Sequence, residues 1–189
     1  MVMRTALKYG WLLVIAAAAV AYGAEPSAVY QSVVADAQRL EKLGKWSASG
    51  DAYLHALRLR PPDREAEAIG LRAIQMHSSF HDLGCFWKRP NNPGVDPIPI
   101  DGQLAKLFGA YDAYLTLFPT LPNASKIRYQ KASRLEECNH FREAADLYRQ
   151  VYEGSPDGEL AGFARAAYRR VRGKLPEDTT GEPKNVGSR

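Results

Sequence analysis

Apolar residues and alanines recur at every third or fourth position through two stretches of the chain, 27–59 and 125–171. This spacing places them on one face of an α-helix, whose period is about 3.6 residues. Prolines interrupt the pattern at Pro61, Pro119 and Pro156, where a helix must end. The pattern therefore predicts an all-α protein.

Two segments of the chain, 44–61 and 139–156, resemble each other. Each begins with a turn and an aromatic residue, Trp46 in the first and Phe141 in the second. Each then carries a small residue, a tyrosine and a closing proline at matching distances. Such internal similarity is typical of helical repeat proteins.

The second segment resembles the second helix of a tetratricopeptide repeat. Small side chains stand where the two helices of such a repeat cross, and larger ones fill the space around the crossing. The matching small residues are Ala37, Ser49, Ala132 and Ala144, and the matching large ones are Leu40, Tyr53, Leu135 and Tyr148. The resemblance implies a right-handed α-α superhelix of about three helix pairs with a C-terminal capping helix.

A degenerate middle repeat is expected between the two clear ones, with helices near 64–83 and 102–118. A proline-rich insertion, 85–101, stands between them where an ordinary repeat has a short turn, and its four prolines exclude helix through most of it. Ser125 is expected to cap the helix that follows. The capping helix is predicted over 158–172, which completes a repeat domain spanning 24–172.

The two ends of the chain differ in character from the repeat domain. Residues 1–23 have the layout of a secretory signal peptide, with basic Arg4 and Lys8, an apolar run and small residues before a cleavage site after Gly23. Eleven apolar residues, 11–21, reach only about 16 Å along a helix, whereas a hydrocarbon core is about 30 Å thick. We therefore expect a cleaved signal, no membrane insertion afterwards, and a protein that is periplasmic or secreted. Residues 173–189 are expected to form a disordered tail, because they offer almost nothing to bury.

The charge balance bears on whether the partner is a nucleic acid. The formal net charge is +4, but removal of Arg4 and Lys8 reduces the 25 basic residues to 23, against 21 acidic ones. Positive and negative side chains are interspersed, as on a solvated helix face. This balance gives no indication of a nucleic-acid partner.

Cys85 and Cys138 are the only cysteines in the chain. An oxidising exported compartment favours a disulfide between them. The repeat resemblance supports this pairing, since it places both at or just beyond the ends of first helices in consecutive repeats. Alternatively, the two cysteines form no disulfide and are small buried apolar residues.

A zinc site is a second alternative to the disulfide in the same region. His77, His81 and Cys85 have the spacing that puts three ligands on one helix face, and His140 or Cys138 could complete the set. Gly84 is expected to end the helix before Cys85, and oxidation competes with thiolate ligation in an exported protein. The disulfide is the preferred prediction, and the metal remains the alternative.

Two surfaces are candidates for binding a partner protein. The insertion displays Phe86, Trp87, Lys88 and Arg89 next to a rigid proline-rich segment, and tryptophan and arginine often anchor interfaces. Alternatively, the two aromatic residues fold back over helix ends that the missing turn leaves exposed. The groove of a repeat stack is the second surface, and the residues expected to line it are Gln38, Lys42, Arg72, Tyr129 and Gln130.

The sequence shows no motif that would indicate an enzyme or a cofactor. The sequence as a whole resembles small periplasmic tetratricopeptide proteins that act in envelope assembly or as subunits of envelope machines. That resemblance implies a protein–protein interaction scaffold or adaptor of the bacterial cell envelope, with another envelope protein as its partner. A zinc-binding envelope protein or enzyme that uses His77, His81 and Cys85 is the alternative.

Overall fold

The computed structural model describes residues 27–59, 61, 63–82 and 96–175. Within these ranges the chain forms seven α-helices and no strand, so the all-α prediction is confirmed. The helices are α1 Ala28–Lys42, α2 Trp46–Arg58, α3 Asp63–Asp82, α4 Gly102–Leu117, α5 Pro122–Glu137, α6 Phe141–Gly154 and α7 Ala161–Arg172. None of them is both long and apolar enough to cross a membrane. The predicted signal peptide, residues 83–95 of the insertion region and residues 176–189 lie outside the described ranges.

The helices pack in chain order. Each helix contacts the next one, and α2 also touches α4. The contact is closest between α2 and α3 and sparsest between α4 and α5. The seven described helices therefore follow one another along the molecule, and we refer to α1 with α2, α3 with α4 and α5 with α6 as the helix pairs.

The small residues that the repeat pattern singled out lie in the interior. Ala37, Ser49, Ala132 and Ala144 are all completely buried. The Ser49 hydroxyl donates a hydrogen bond to the carbonyl oxygen of Ala37 at 2.8 Å, which joins α1 directly to α2. Small side chains allow this close approach, and any larger group would separate the two backbones.

The buried side chains form two hydrophobic clusters. The first lies among α1, α2 and α3 and includes Tyr53, Leu57 and Met76. The second runs from the side of α3 through α4 to α7 and includes Leu107 and Val151. The chain thus has two neighbouring cores that meet along α3 and α4.

Turn chemistry sets the helix boundaries. Asp101 caps α4 by accepting a hydrogen bond from the backbone N–H of Leu104 at 2.9 Å. The prediction that Ser125 caps the next helix is wrong, because α5 already begins at Pro122, which needs no N–H partner at this first position. The last helix starts at Ala161 rather than near 158, since Gly158 closes a turn onto Ser155.

Candidate functional site

Two matching hydrogen-bonded networks join successive helix pairs. In the first, the Glu41 carboxylate at the end of α1 accepts a hydrogen bond from the Tyr53 hydroxyl of α2 at 3.0 Å. The guanidinium of Arg72, from α3, binds the same carboxylate, with its Nε 3.0 Å from Oε2. Arg72 also donates to the Gln75 side chain at 2.7 Å. Arg72, one of the predicted groove residues, is thus engaged in linking the first helix pair to α3.

The second network repeats the first one 95 positions later (41 to 136, and 53 to 148). Glu136 accepts from the Tyr148 hydroxyl at 3.1 Å and from two nitrogens of Arg170 at 2.9 and 2.7 Å. Burial alone would raise the pKa of Glu136, but Arg170, Tyr148 and Lys174 together hold it below its usual value. The carboxylate is therefore a buried anion with a full set of donors, and both networks act as structural links between helix pairs.

A cleft of about 320 Å³ opens between α3 and α5. Its floor is apolar and includes Ile74 and Ile127, which are both buried. Its rim is polar and made of hydroxyl, amide and ammonium groups. The lining residues are Leu71, Ile74, Gln75, Ser78, Ser79, Asn123, Lys126, Ile127 and Gln130. We call this the α3–α5 cleft.

One rim side chain is fixed by a hydrogen-bonded carboxylate behind it. Asn123 donates to the Glu67 side chain at 3.0 Å, and Tyr114 donates to the same oxygen at 2.8 Å. The hydrogen bond from Asn123 has the larger effect and that from Tyr114 the smaller, and together they hold the pKa of Glu67 below its usual value. Because Glu67 stays ionised, the Asn123 amide keeps a defined orientation at the rim.

A second cleft, of about 470 Å³, lies between the start of α5 and the start of α7. It shares Asn123 and Lys126 with the α3–α5 cleft, so the two clefts meet on α5. Lys126 is the one charged residue that lines the α3–α5 cleft, and it makes no ion pair within the described ranges. An exposed cation thus stands at the junction of the two clefts.

The structure separates the predicted groove residues. Gln130 lines the α3–α5 cleft, whereas Gln38 and Lys42 are exposed on α1. Tyr129 packs edge-on against Tyr148, with ring centroids 5.3 Å apart. Lys126 and Asn123 were not predicted, since only the opening between α3 and α5 brings them to a cleft.

His77 lies in the interior, among α2, α3 and α4. Its side chain is 1% exposed and its ring packs flat against the backbone of Gly50. Nε2 stands 3.7 Å from Oδ1 of Asp51, which itself pairs with Lys106. Burial lowers the pKa of His77, Asp51 opposes this and Lys106 reinforces it, so the ring is neutral near pH 7. Neither ring nitrogen has a hydrogen-bond partner in the described part of the chain.

The proposed metal ligands are not brought together as far as the structure describes them. His77 contacts α2, whereas His140 lies at the α5–α6 turn, 3.6 Å from the Glu143 carboxylate. In the described ranges no three His, Cys, Asp or Glu side chains stand close enough to hold a metal ion. The side chain of His81 and all of Cys85 lie outside those ranges, so the four-residue set stays a prediction.

The end of the proline-rich insertion is attached to the α5–α6 turn. The Ile98 backbone N–H donates to the carbonyl oxygen of Cys138 at 2.8 Å, and its own carbonyl lies 3.0 Å from His140 Nε2. Cys138 is completely buried beneath this contact. The segment therefore returns from the insertion directly onto the third helix pair. Cys85, Phe86, Trp87, Lys88 and Arg89 lie outside the described residues, and the disulfide and the insertion surface remain predictions.

No family model matches the sequence, and neither does any curated protein or any solved structure. The resemblance to tetratricopeptide repeats therefore rests on the internal repeats of this chain.

Proposed function

We propose that this protein is a tetratricopeptide-type helical scaffold that holds a partner protein by a short segment bound in the α3–α5 cleft. The observation that carries the proposal is the cleft itself, an apolar floor rimmed by hydroxyl and amide groups. Its volume of about 320 Å³ is at the small end of the range for binding sites. It suits a few side chains of a peptide better than a whole domain.

The polar rim favours a peptide over a purely apolar ligand. The Gln130 amide can both donate and accept hydrogen bonds, as an extended peptide backbone requires, and it has no partner within the described ranges. The polar side chains of the neighbouring networks are already engaged, as Arg72 is by Glu41. Gln130 is thus a free amide above buried isoleucines, whereas the Gln75 and Asn123 amides at the same cleft are held by Arg72 and Glu67.

The arrangement of the helix pairs supports the scaffold part of the proposal. A right-handed superhelix would place α1, α3, α5 and α7 side by side on one surface, and both clefts lie between members of this set. In this arrangement α7 is the capping helix. The α3–α5 cleft would then open on the concave surface.

We further propose that the chain is exported to the cell envelope and acts there as an adaptor. The support is the layout of residues 1–23, with its basic start, apolar run and small residues. Amino-terminal sequencing of the protein from a periplasmic fraction should begin at Ala24. A mature chain that retains Met1 would contradict the proposed cleavage.

Site-specific photocrosslinking tests the cleft. A photoreactive amino acid at Gln130 should give one discrete crosslinked protein in native cells, because this side chain lies at the rim. The same group at Gly109, an exposed position of α4 with open space around it, should not give that product. The crosslinked protein is identified by mass spectrometry.

A charge reversal in the cleft provides the matched control. Lys126→Glu should abolish the Gln130 crosslink, whereas Lys126→Arg should preserve it, since both variants change an exposed side chain without removing packing. Equal crosslinking from Gln130 and Gly109, or no effect of Lys126→Glu, would contradict binding in this cleft.

A further inference from the structure

The terminal helix α7 has an unusual charge composition. Its twelve residues include four arginines and no acidic residue. By contrast, α1 and α6 each carry acidic side chains among their basic ones. The last helix of the stack is therefore strongly basic, and it packs mainly against α6.

The arginines of α7 divide into engaged and available groups. Arg170 is held by Glu136, and the Arg165 guanidinium lies over the Tyr152 ring at 5.6 Å. Arg169 is exposed and makes no ion pair within the described ranges. The helix thus turns at least one uncompensated cation, Arg169, outward, and Arg165 adds a second positive charge that contacts an aromatic ring.

The same helix exposes a large aromatic side chain. Phe163 is 63% exposed, the most of any large hydrophobic residue in the described ranges. Ala166 lies one turn further along and is also exposed. Phe163, Ala166 and Arg169 together define what we call the α7 face.

We propose that the α7 face is a docking surface for an anionic lipid bilayer. Arg169 would bind a lipid phosphate, and Phe163 would enter the boundary between headgroups and acyl chains, as in helices that lie in the plane of an interface. Charge complementarity selects an anionic surface, and Phe163 supplies the apolar contact that simple charge attraction lacks.

The shape of the α7 face favours a lipid surface over an acidic protein. Phe163 projects from the helix and lines neither of the two clefts described above. A partner protein would need a matching pocket to cover such a side chain, whereas a bilayer accommodates it without shape complementarity. The face lies on the last helix of the stack, away from the α3–α5 cleft, so the two surfaces can be tested independently.

Vesicle co-sedimentation of the purified chain tests the proposal. The chain should bind vesicles containing about 30% phosphatidylglycerol at about 100 mM salt and should not bind phosphatidylcholine vesicles. Arg169→Gln should weaken binding about fivefold. Phe163→Ser should weaken it about tenfold, including at salt concentrations that screen charge.

Two exposed substitutions elsewhere serve as controls. Lys45→Gln removes one charge, and Leu117→Ser removes an exposed apolar side chain at the end of α4, so neither should change vesicle binding. Helical circular dichroism confirms that every variant is folded. No binding to anionic vesicles, or equal losses in the control variants, would overturn the proposal. Equal binding to soluble poly-glutamate that is insensitive to Phe163→Ser would also overturn it, in favour of an acidic protein.

Discussion

At the scale of single residues, Gly50 stands out among the described glycines for its contact with His77. A Cβ atom added to Gly50 would lie 2.7 Å from two atoms of the His77 ring. The glycine is required here because the ring is buried between α2 and α3 and has no room to withdraw. The close approach of the two helices depends on the absence of this one side chain.

Gly50→Ala should therefore destabilise the protein by about 2 kcal/mol, although alanine favours helix. Gly109→Ala, at an exposed position of α4 with nothing within 4 Å of its added Cβ, should instead stabilise it by about 0.5 kcal/mol. Urea denaturation measures the free energy of unfolding of both variants. Adding His77→Ala to Gly50→Ala should recover part of the loss, and a purely additive double variant would contradict a clash between these two residues.

The pH dependence of stability should depend on Glu136. Its pKa is lowered in the folded state, so its stabilisation is complete above the pKa of an unfolded glutamate, about 4.3. That stabilisation is lost as the pH falls through the lower pKa of the folded state. Glu136→Gln should lower the free energy of unfolding by about 2 kcal/mol at neutral pH. The variant should also lose less stability than the native protein when the pH falls.

Glu143→Gln is the matched control, because this exposed carboxylate lies on the same helix pair and only approaches His140. Thermal unfolding followed between pH 3 and pH 7, a range chosen to span glutamate titration at about 4.3, compares the two variants. An unchanged acid dependence in Glu136→Gln would show that other groups control it.

At the scale of elements, the two turns that join α1 to α2 and α5 to α6 are equivalent. Gly44 and Asn139 occupy corresponding positions, and both have positive φ angles, 69° and 62°. Glycine adopts this conformation freely, whereas asparagine adopts it at a small cost in free energy that most other side chains exceed. Asn139 is also buried, and its amide has no hydrogen-bond partner in the described part of the chain.

Asn139→Gly should therefore stabilise the protein by about 1 kcal/mol, since it relieves both the backbone strain and the unsatisfied amide. Asn139→Ala should destabilise it, because alanine tolerates a positive φ less well than asparagine does. Differential scanning calorimetry of the two variants gives the comparison. A loss of stability in Asn139→Gly would indicate that the amide makes a contact that matters.

The elements also mark what the sequence could predict and what it could not. Helix periodicity and prolines predicted the helical stretches and placed the helices now seen at Asp63–Asp82, Gly102–Leu117 and Ala161–Arg172 to within a few residues, since both act locally. The buried Ala37 and Ala132 were likewise recognisable from spacing. The sequence could not reveal that His77 faces Gly50 or that Ile98 binds Cys138, because both contacts join residues far apart in the chain. The α3–α5 cleft escaped prediction for the same reason, as it depends on how loosely two helix pairs pack.

At the scale of the whole molecule, two hydrophobic cores should give two regions of different stability. Leu57 belongs to the core of α1 to α3, and Val151 to the core of α4 to α7. The sparsest contact between successive helices lies between α4 and α5, within the second cluster, so a defect in α1 to α3 should spread weakly to α5 to α7. The boundary should lie near the α3–α5 cleft.

Leu57→Ala should cost about 3 kcal/mol and accelerate amide hydrogen exchange mainly in α1 to α3. Val151→Ala should accelerate exchange mainly in α5 to α7. Hydrogen exchange read by mass spectrometry on peptides from each region distinguishes the two responses. Uniform acceleration along the chain in both variants would mean that the molecule opens as one cooperative unit.

The paired Glu–Tyr–Arg networks have a consequence for sequence variation. Removing Arg72 or Arg170 alone would leave an ionised carboxylate without its main donor, which is more costly than replacing the whole set. Related chains should therefore change positions 41, 53 and 72 together, and positions 136, 148 and 170 together. The exposed pair Asp36 and Arg39 carries no such restriction, so these two positions should drift separately. Coupled substitution at these two sets of three positions would show that the Glu–Tyr–Arg networks hold successive helix pairs together in related chains.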